Sequence, residues 1–101
     1  MEAKLNGDTL EISFSEDLVA SNLDKQVKTA KDFLSKHKKE IGKVVINMEN
    51  VNEIDSLGIN LIVGLYKQSS KSNKEFSVIN TSKPIVNLFK LFKLSSYFDV
   101  S

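Results

Sequence analysis

Asp55 and Ser56 stand side by side in Ile54-Asp55-Ser56-Leu57-Gly58, where a polar connection meets a strongly apolar segment. A carboxylate followed by a hydroxyl has two uses at such a junction. Either side chain can cap a helix by accepting a hydrogen bond from a free N–H group of its first turn. Those same N–H groups and the positive end of the helix dipole also stabilise an anion, so a phosphate could bind there or be attached to the Ser56 hydroxyl. Spacing alone leaves both uses open, capping being the commoner one.

Other reactive groups are few. Ser56 lacks the Gly-x-Ser-x-Gly elbow of a hydrolase, and the only histidine, His37, lies in a basic stretch that reads as a helix end. Glu53 and Asp55 could be paired as acid and base, but polar residues ahead of a helix are ordinary loop chemistry. There is no cysteine and no P-loop, which excludes thiol catalysis, disulfides and thiolate metal sites and leaves no implied cofactor. All 14 basic residues are Lys, and 13 carboxylates bring the net charge to +1. Without the arginine fork and without a strong field, direct nucleic-acid recognition is not expected. No catalytic residue and no metal ligand is therefore assigned.

The elements that must position Asp55 and Ser56 follow from apolar periodicity. Gly7-Asp8 marks a turn between a strand near Ala3 to Asn6 and an alternating strand Thr9 to Phe14, a hairpin with one wet face. Ser21-Asn22-Leu23-Asp24 has capping-box spacing ahead of a stripe of Leu23, Val27, Ala30 and Leu34, in a helix expected to stop near Gly42. Lys43 to Met48 reads as a central strand covered on both faces. A second helix runs from the Asp55-Ser56 junction to about Gln68 or Ser70, offering Leu57, Leu61, Val63 (or Gly64) and Leu65 to the core. Glu75 to Asn80 forms a further strand. Pro84 opens a third helix with Ile85, Leu88, Phe89 and Phe92 as its core stripe, and Tyr97 to Val100 forms an edge strand or a packed tail.

With 101 residues, 41% of them hydrophobic, the chain has room for one core, so residues 1–101 are read as one domain. The element order predicts a small α/β layer, a mixed β-sheet with helices packed mainly on one face and right-handed parallel crossovers. The N-terminus has no apolar leader core and no segment has the length of a bilayer span, so a soluble cytoplasmic protein is expected. Lys67, Lys71 and Lys74 read as a solvated helix face. The run Phe89-Lys90-Leu91-Phe92-Lys93-Leu94 has the look of a membrane-surface helix, but a domain this small needs its aromatics inside, and core packing is the expectation.

The run Val44-Val45-Ile46-Asn47-Met48, then Ile54-Asp55-Ser56-Leu57-Gly58-Ile59, then Leu65-Tyr66-Lys67-Gln68 resembles the STAS domain family of bacterial anti-sigma-factor antagonists. Pro84-Ile85-Val86 and Leu94 to Phe98 are similar to that family's closing helix and tail. The resemblance implies a STAS-like single α/β domain that is not itself an enzyme. It implies that the unphosphorylated protein binds an anti-sigma factor that is also a serine kinase, releasing a sigma factor. It implies further that phosphorylation at Ser56 ends this binding and that a serine phosphatase reverses it. The partner-facing residues so implied are Glu53, Asp55, Ser56, Leu57, Gly58 and Asn60. Leu57 stands where many members carry a second hydroxyl, Asn60 replaces a frequently small residue, and Ser15-Glu16-Asp17-Leu18 lacks the usual Gly of the first loop. A ligand-sensing or scaffold module of a stress-signalling assembly, without phosphorylation control, is the alternative the resemblance allows.

Overall fold

Alternating apolar residues in the strands fix one buried sheet face, and the helical stripes cover it. The computed structural model describes residues 1–101. Its elements run β1 (Glu2–Asn6), β2 (Thr9–Ser13), α1 (Ala20–Lys36), β3 (Lys43–Asn47), α2 (Ser56–Lys71), β4 (Glu75–Ile79), α3 (Lys83–Leu91), a 3-10 turn (Leu94–Ser96) and β5 (Asp99–Val100). The sheet order is β1-β2-β3-β4-β5, with β1 antiparallel to β2 and every later pair parallel. The hairpin turns at Gly7, whose φ of +64° suits a residue without Cβ.

Register explains why one face is dry. Leu10, Val44 and Phe76 lie opposite one another across β2, β3 and β4, as do Ile12, Ile46 and Val78, and all six belong to the core. The alternate positions are Glu11, Val45 and Ser77, and Val45 lies outside that core although little of it is exposed. The strand β3 is therefore central but covered by helices on one face only; the unbroken apolar run reflects Val45 sheltered between strands, not a second helical layer. The four parallel strands stand in chain order, so right-handed crossovers place α1, α2 and α3 on the same side. Each fully buried Leu, Ile or Phe on that side contributes about 1.5–3 kcal/mol.

The helix boundaries correct several expectations. Helix α1 begins at Ala20 after an extended Val19 and has no side-chain cap of its own, so Ser21 is inside the first turn and not at the cap. It ends at Lys36, well before Gly42, and buries Leu23, Gln26, Ala30 and Leu34, with Val27 half-buried. In α2 the core side chains are Ile59, Leu61, Ile62 and Leu65, whereas Leu57 is 51% exposed and Val63 only partly buried. The buried Ser69 hydroxyl donates to the Leu65 carbonyl at 2.8 Å. In α3, Pro84 occupies the first turn and Ile85 and Phe89 are buried, but Phe92 caps the helix end and is 52% exposed. Residues Tyr97 to Val100 split: Phe98 enters the core against Phe76, Phe89 and Tyr66, and Asp99–Val100 forms the edge strand. No helix is long and apolar enough to cross a membrane.

Candidate functional site

Parallel neighbours put the loops that follow them at the same end of the sheet. The loop after β2 and the loop after β3 thus meet beyond the C-terminal ends of their strands, the usual place for a site on a parallel sheet. Leu18 and Ile54 form an isolated parallel bridge there. The Leu18 N–H donates to the Glu53 carbonyl at 3.0 Å and the Asp55 N–H donates to the Leu18 carbonyl at 3.2 Å. Asp17 tightens the joint, its Oδ1 accepting from the N–H groups of Asn52 at 2.7 Å and Glu53 at 3.1 Å. Replacing Asp17 with Ala leaves both N–H groups without that acceptor, and we expect a loss of about 1 kcal/mol in urea unfolding. Faster hydrogen exchange at Asn52 and Glu53 should accompany it.

Asp55 does more than cap its own helix. Its Oδ1 accepts from the Gly58 N–H at 3.0 Å, the N-cap bond of α2, and its Oδ2 accepts from the Ala20 N–H at 2.9 Å, at the start of α1. One carboxylate therefore joins the positive ends of two helices. This explains why α1 needs no cap of its own. The Gly58 N–H first and the Ala20 N–H second hold the Asp55 carboxyl below its ordinary value, outweighing the opposing effect of desolvation. A carboxyl whose folded value is depressed adds stability above its unfolded value of about 3.9, and that stability is lost as pH falls through the folded value. Between neutral pH and pH values below about 3, Asp55→Asn should therefore lose less stability than the wild type, as read by urea unfolding at both ends of that range.

The residues that the resemblance implies to be partner-facing lie at this corner. Glu53 is exposed and bound through its backbone to Asp17 and Leu18. Ser56, the first residue of α2, is exposed beside the Asp55 cap. Gly58 is buried where an added Cβ would lie 2.1 Å from the Leu18 carbonyl oxygen. Leu57 and Asn60 are exposed and border a shallow groove of about 280 Å³ between α1 and α2. Leu23, Val27 and Leu61 supply its apolar lining, with Asp24 and Lys31 also present. What sequence reading missed are the bonds of Asp17, Leu18 and Ala20 to the second loop and the groove between α1 and α2. Their signal was the adjacency of two parallel strands, which makes a carboxylate in one loop available to the backbone of the next.

The arrangement offers an anchored carboxylate, an exposed hydroxyl at a helix start and an apolar groove beside them. It contains no histidine, and no cluster of metal-ligating side chains occurs in the structure.

Comparisons with known proteins agree in fold. A family model described as STAS domain matches residues 1–101. An anti-sigma-B factor antagonist of Staphylococcus aureus is 33% identical over 58 residues, covering 57% of this chain and 54% of that protein, so the match spans about half the length of the curated relative. A crystal structure from Thermotoga maritima, described as that of a candidate anti-sigma factor antagonist, superposes with a TM-score of 0.81 at 19% identity. It covers 98% of this chain and 83% of the other. The Bacillus cell fate determinant SpoIIAA in its phosphorylated form gives a TM-score of 0.73 at 16% identity, covering 99% and 89%.

Proposed function

Because the chain belongs to the STAS domain family, we propose that it is an anti-sigma-factor antagonist switched by phosphorylation of Ser56. In its unmodified state it binds, in the cytoplasm, an anti-sigma factor that is also a serine kinase, and so frees a sigma factor. The kinase transfers a phosphoryl group from ATP to the Ser56 hydroxyl, and a serine phosphatase removes it. The chain itself contributes the acceptor, not the catalysis. The observation that carries this reading is the pairing of an exposed Ser56 with an Asp55 carboxylate already occupied at both helix ends.

That pairing decides which of two opposing effects prevails. The helix dipole favours a phosphate at the start of α2, while Asp55 disfavours it through like charge. Since backbone donors keep Asp55 ionised, it does not relieve the repulsion by taking up a proton. Inside the domain the phosphate remains solvated at an exposed position and the fold tolerates it. A partner seated on Leu57, Asn60 and the groove must instead desolvate a bulky dianion beside a fixed carboxylate, which costs far more. The relative's name, anti-sigma-B factor antagonist, and the phosphorylated SpoIIAA structure support the same assignment.

A competition assay tests the partner half of the proposal. With a candidate anti-sigma factor holding its labelled sigma factor, the unmodified chain should displace the label in a concentration-dependent manner. Failure to displace sigma from any anti-sigma kinase of the same organism would contradict it.

A further inference from the structure

The near-neutral net charge conceals a division along the chain. Residues 1–55 carry eight lysines and eleven carboxylates, while residues 56–101 carry six lysines and two carboxylates, and none of the residues from 76 to 98 is acidic. The two carboxylates of the second part, Glu75 and Asp99, line a cleft that also holds Lys43 and Lys74. What remains basic and unpaired includes Lys67, Lys90 and Lys93, none of which takes part in an ion pair.

Three of the four large apolar side chains that the fold leaves exposed lie near these lysines, either along the chain or in a shared groove. Leu91 is 75% exposed, Phe92 52% and Tyr97 64%, all at the end of α3 or just beyond the 3-10 turn that follows it. Lys90 and Lys93 flank Leu91 and Phe92 directly, and both are exposed. The exposed stripe of α3 is Lys83, Asn87, Lys90 and Leu91, at helical spacing and without an acid. Next to the turn, Val63, Tyr66, Lys67, Leu94, Tyr97 and Phe98 enclose a largely apolar groove of about 260 Å³.

We propose that this corner is a seat for an anionic phospholipid surface, with Leu91, Phe92 and Tyr97 entering the interfacial layer and Lys67, Lys90 and Lys93 facing the headgroups. Protruding aliphatic and aromatic side chains accompanied by exposed lysines match an interface of acyl chains beneath negative headgroups, and a tyrosine's amphipathic ring suits the headgroup level. A folded partner would require rigid, directional pairing, for which this corner offers lysines but no arginine, and its nearest acids, Glu75 and Asp99, share the cleft beside Tyr97 with Lys43 and Lys74. The seat is independent of the Ser56 switch. Lys67 lies eleven residues along α2 from Ser56, roughly 16 Å away, so one end of the helix can take a partner while the other rests on lipid.

Vesicle co-sedimentation of the full chain tests this. Wild type should bind vesicles containing about one-third phosphatidylserine and not vesicles of phosphatidylcholine alone, and high salt should weaken the binding. A Leu91→Ser/Phe92→Ser double variant and a Lys90→Glu/Lys93→Glu double variant should each bind roughly tenfold less or weaker still. All four positions are exposed, and thermal unfolding of each variant verifies its fold; the lysine pair carries the test alone if the apolar pair unfolds. Absence of wild-type binding to the anionic vesicles would overturn the proposal, as would equal binding by folded variants. Self-association that Leu91→Ser/Phe92→Ser abolishes would overturn it too, by assigning the patch to a second copy of the chain.

Discussion

Gly58→Ala should destabilise the protein by about 3 kcal/mol, the upper end of what overpacking a well-filled site costs. A Cβ at this position would sit 2.1 Å from the Leu18 carbonyl oxygen, 2.7 Å from Ile54 Cγ1 and 2.9 Å from Leu18 Cβ. The closest of these atoms is backbone and cannot rotate away. It also accepts from the Asp55 N–H, so moving it breaks the bridge that holds the two loops together. The helix φ at position 58 is ordinary, and alanine is the better helix former; propensity alone would make the substitution stabilising by about 0.5–1 kcal/mol. The steric term opposes and exceeds that gain. Urea unfolding of Gly58→Ala at neutral pH measures the sum, and a midpoint at or above that of wild type would show that the loops are not in contact as described.

The second large effect concerns binding. Ser56→Asp should weaken the affinity for the anti-sigma factor by about a hundredfold, equivalent to roughly 3 kcal/mol. The substitution adds one carboxylate to a corner where Asp55 is already ionised and Glu53 is exposed nearby. A side chain at the first helical position faces the start of the dipole, which favours Asp within the domain, so unfolding midpoints should be unchanged or slightly raised. Ser56→Ala removes the phosphate acceptor and adds no charge, and its affinity should remain within about threefold of wild type, a difference of less than 1 kcal/mol. Calorimetric titration of the three proteins against one anti-sigma factor separates charge from loss of the hydroxyl. Equal affinities for wild type and Ser56→Asp would count against electrostatic exclusion.

Local signals made much of the scaffold legible. Alternation marked β2 and β4, Gly7-Asp8 marked the hairpin, and Pro84 marked the start of α3, because each depends on neighbours in sequence. The Asp55 cap was legible for the same reason: Asp followed by an apolar helical segment is a local pattern. Its bond to Ala20 was not, since the partners are 35 residues apart and meet only once β2 and β3 pair in parallel. The bond from the Asn52 N–H to Asp17 was illegible on identical grounds.

Hydrophobicity misplaced Leu57 and Phe92, and for a common reason. Periodicity says that a residue is apolar, but it does not say whether its turn of helix lies over the sheet or beyond it. Leu57 lies in the first turn of α2 and Phe92 at the very end of α3, where a helix projects past the core and side chains border grooves or solvent. The two misplaced apolar residues therefore sit at the surfaces proposed for binding, the partner groove for Leu57 and the lipid seat for Phe92.

The proposed switch at Ser56 is tested most directly by incubating the purified chain with ATP and a candidate anti-sigma kinase of the same organism, then measuring the mass of the peptide containing Asp55 and Ser56. A gain of one phosphate on that peptide, absent from Ser56→Ala, is the predicted result. A peptide that stays unmodified while the kinase phosphorylates another substrate, or a phosphate found on a different residue, would contradict it.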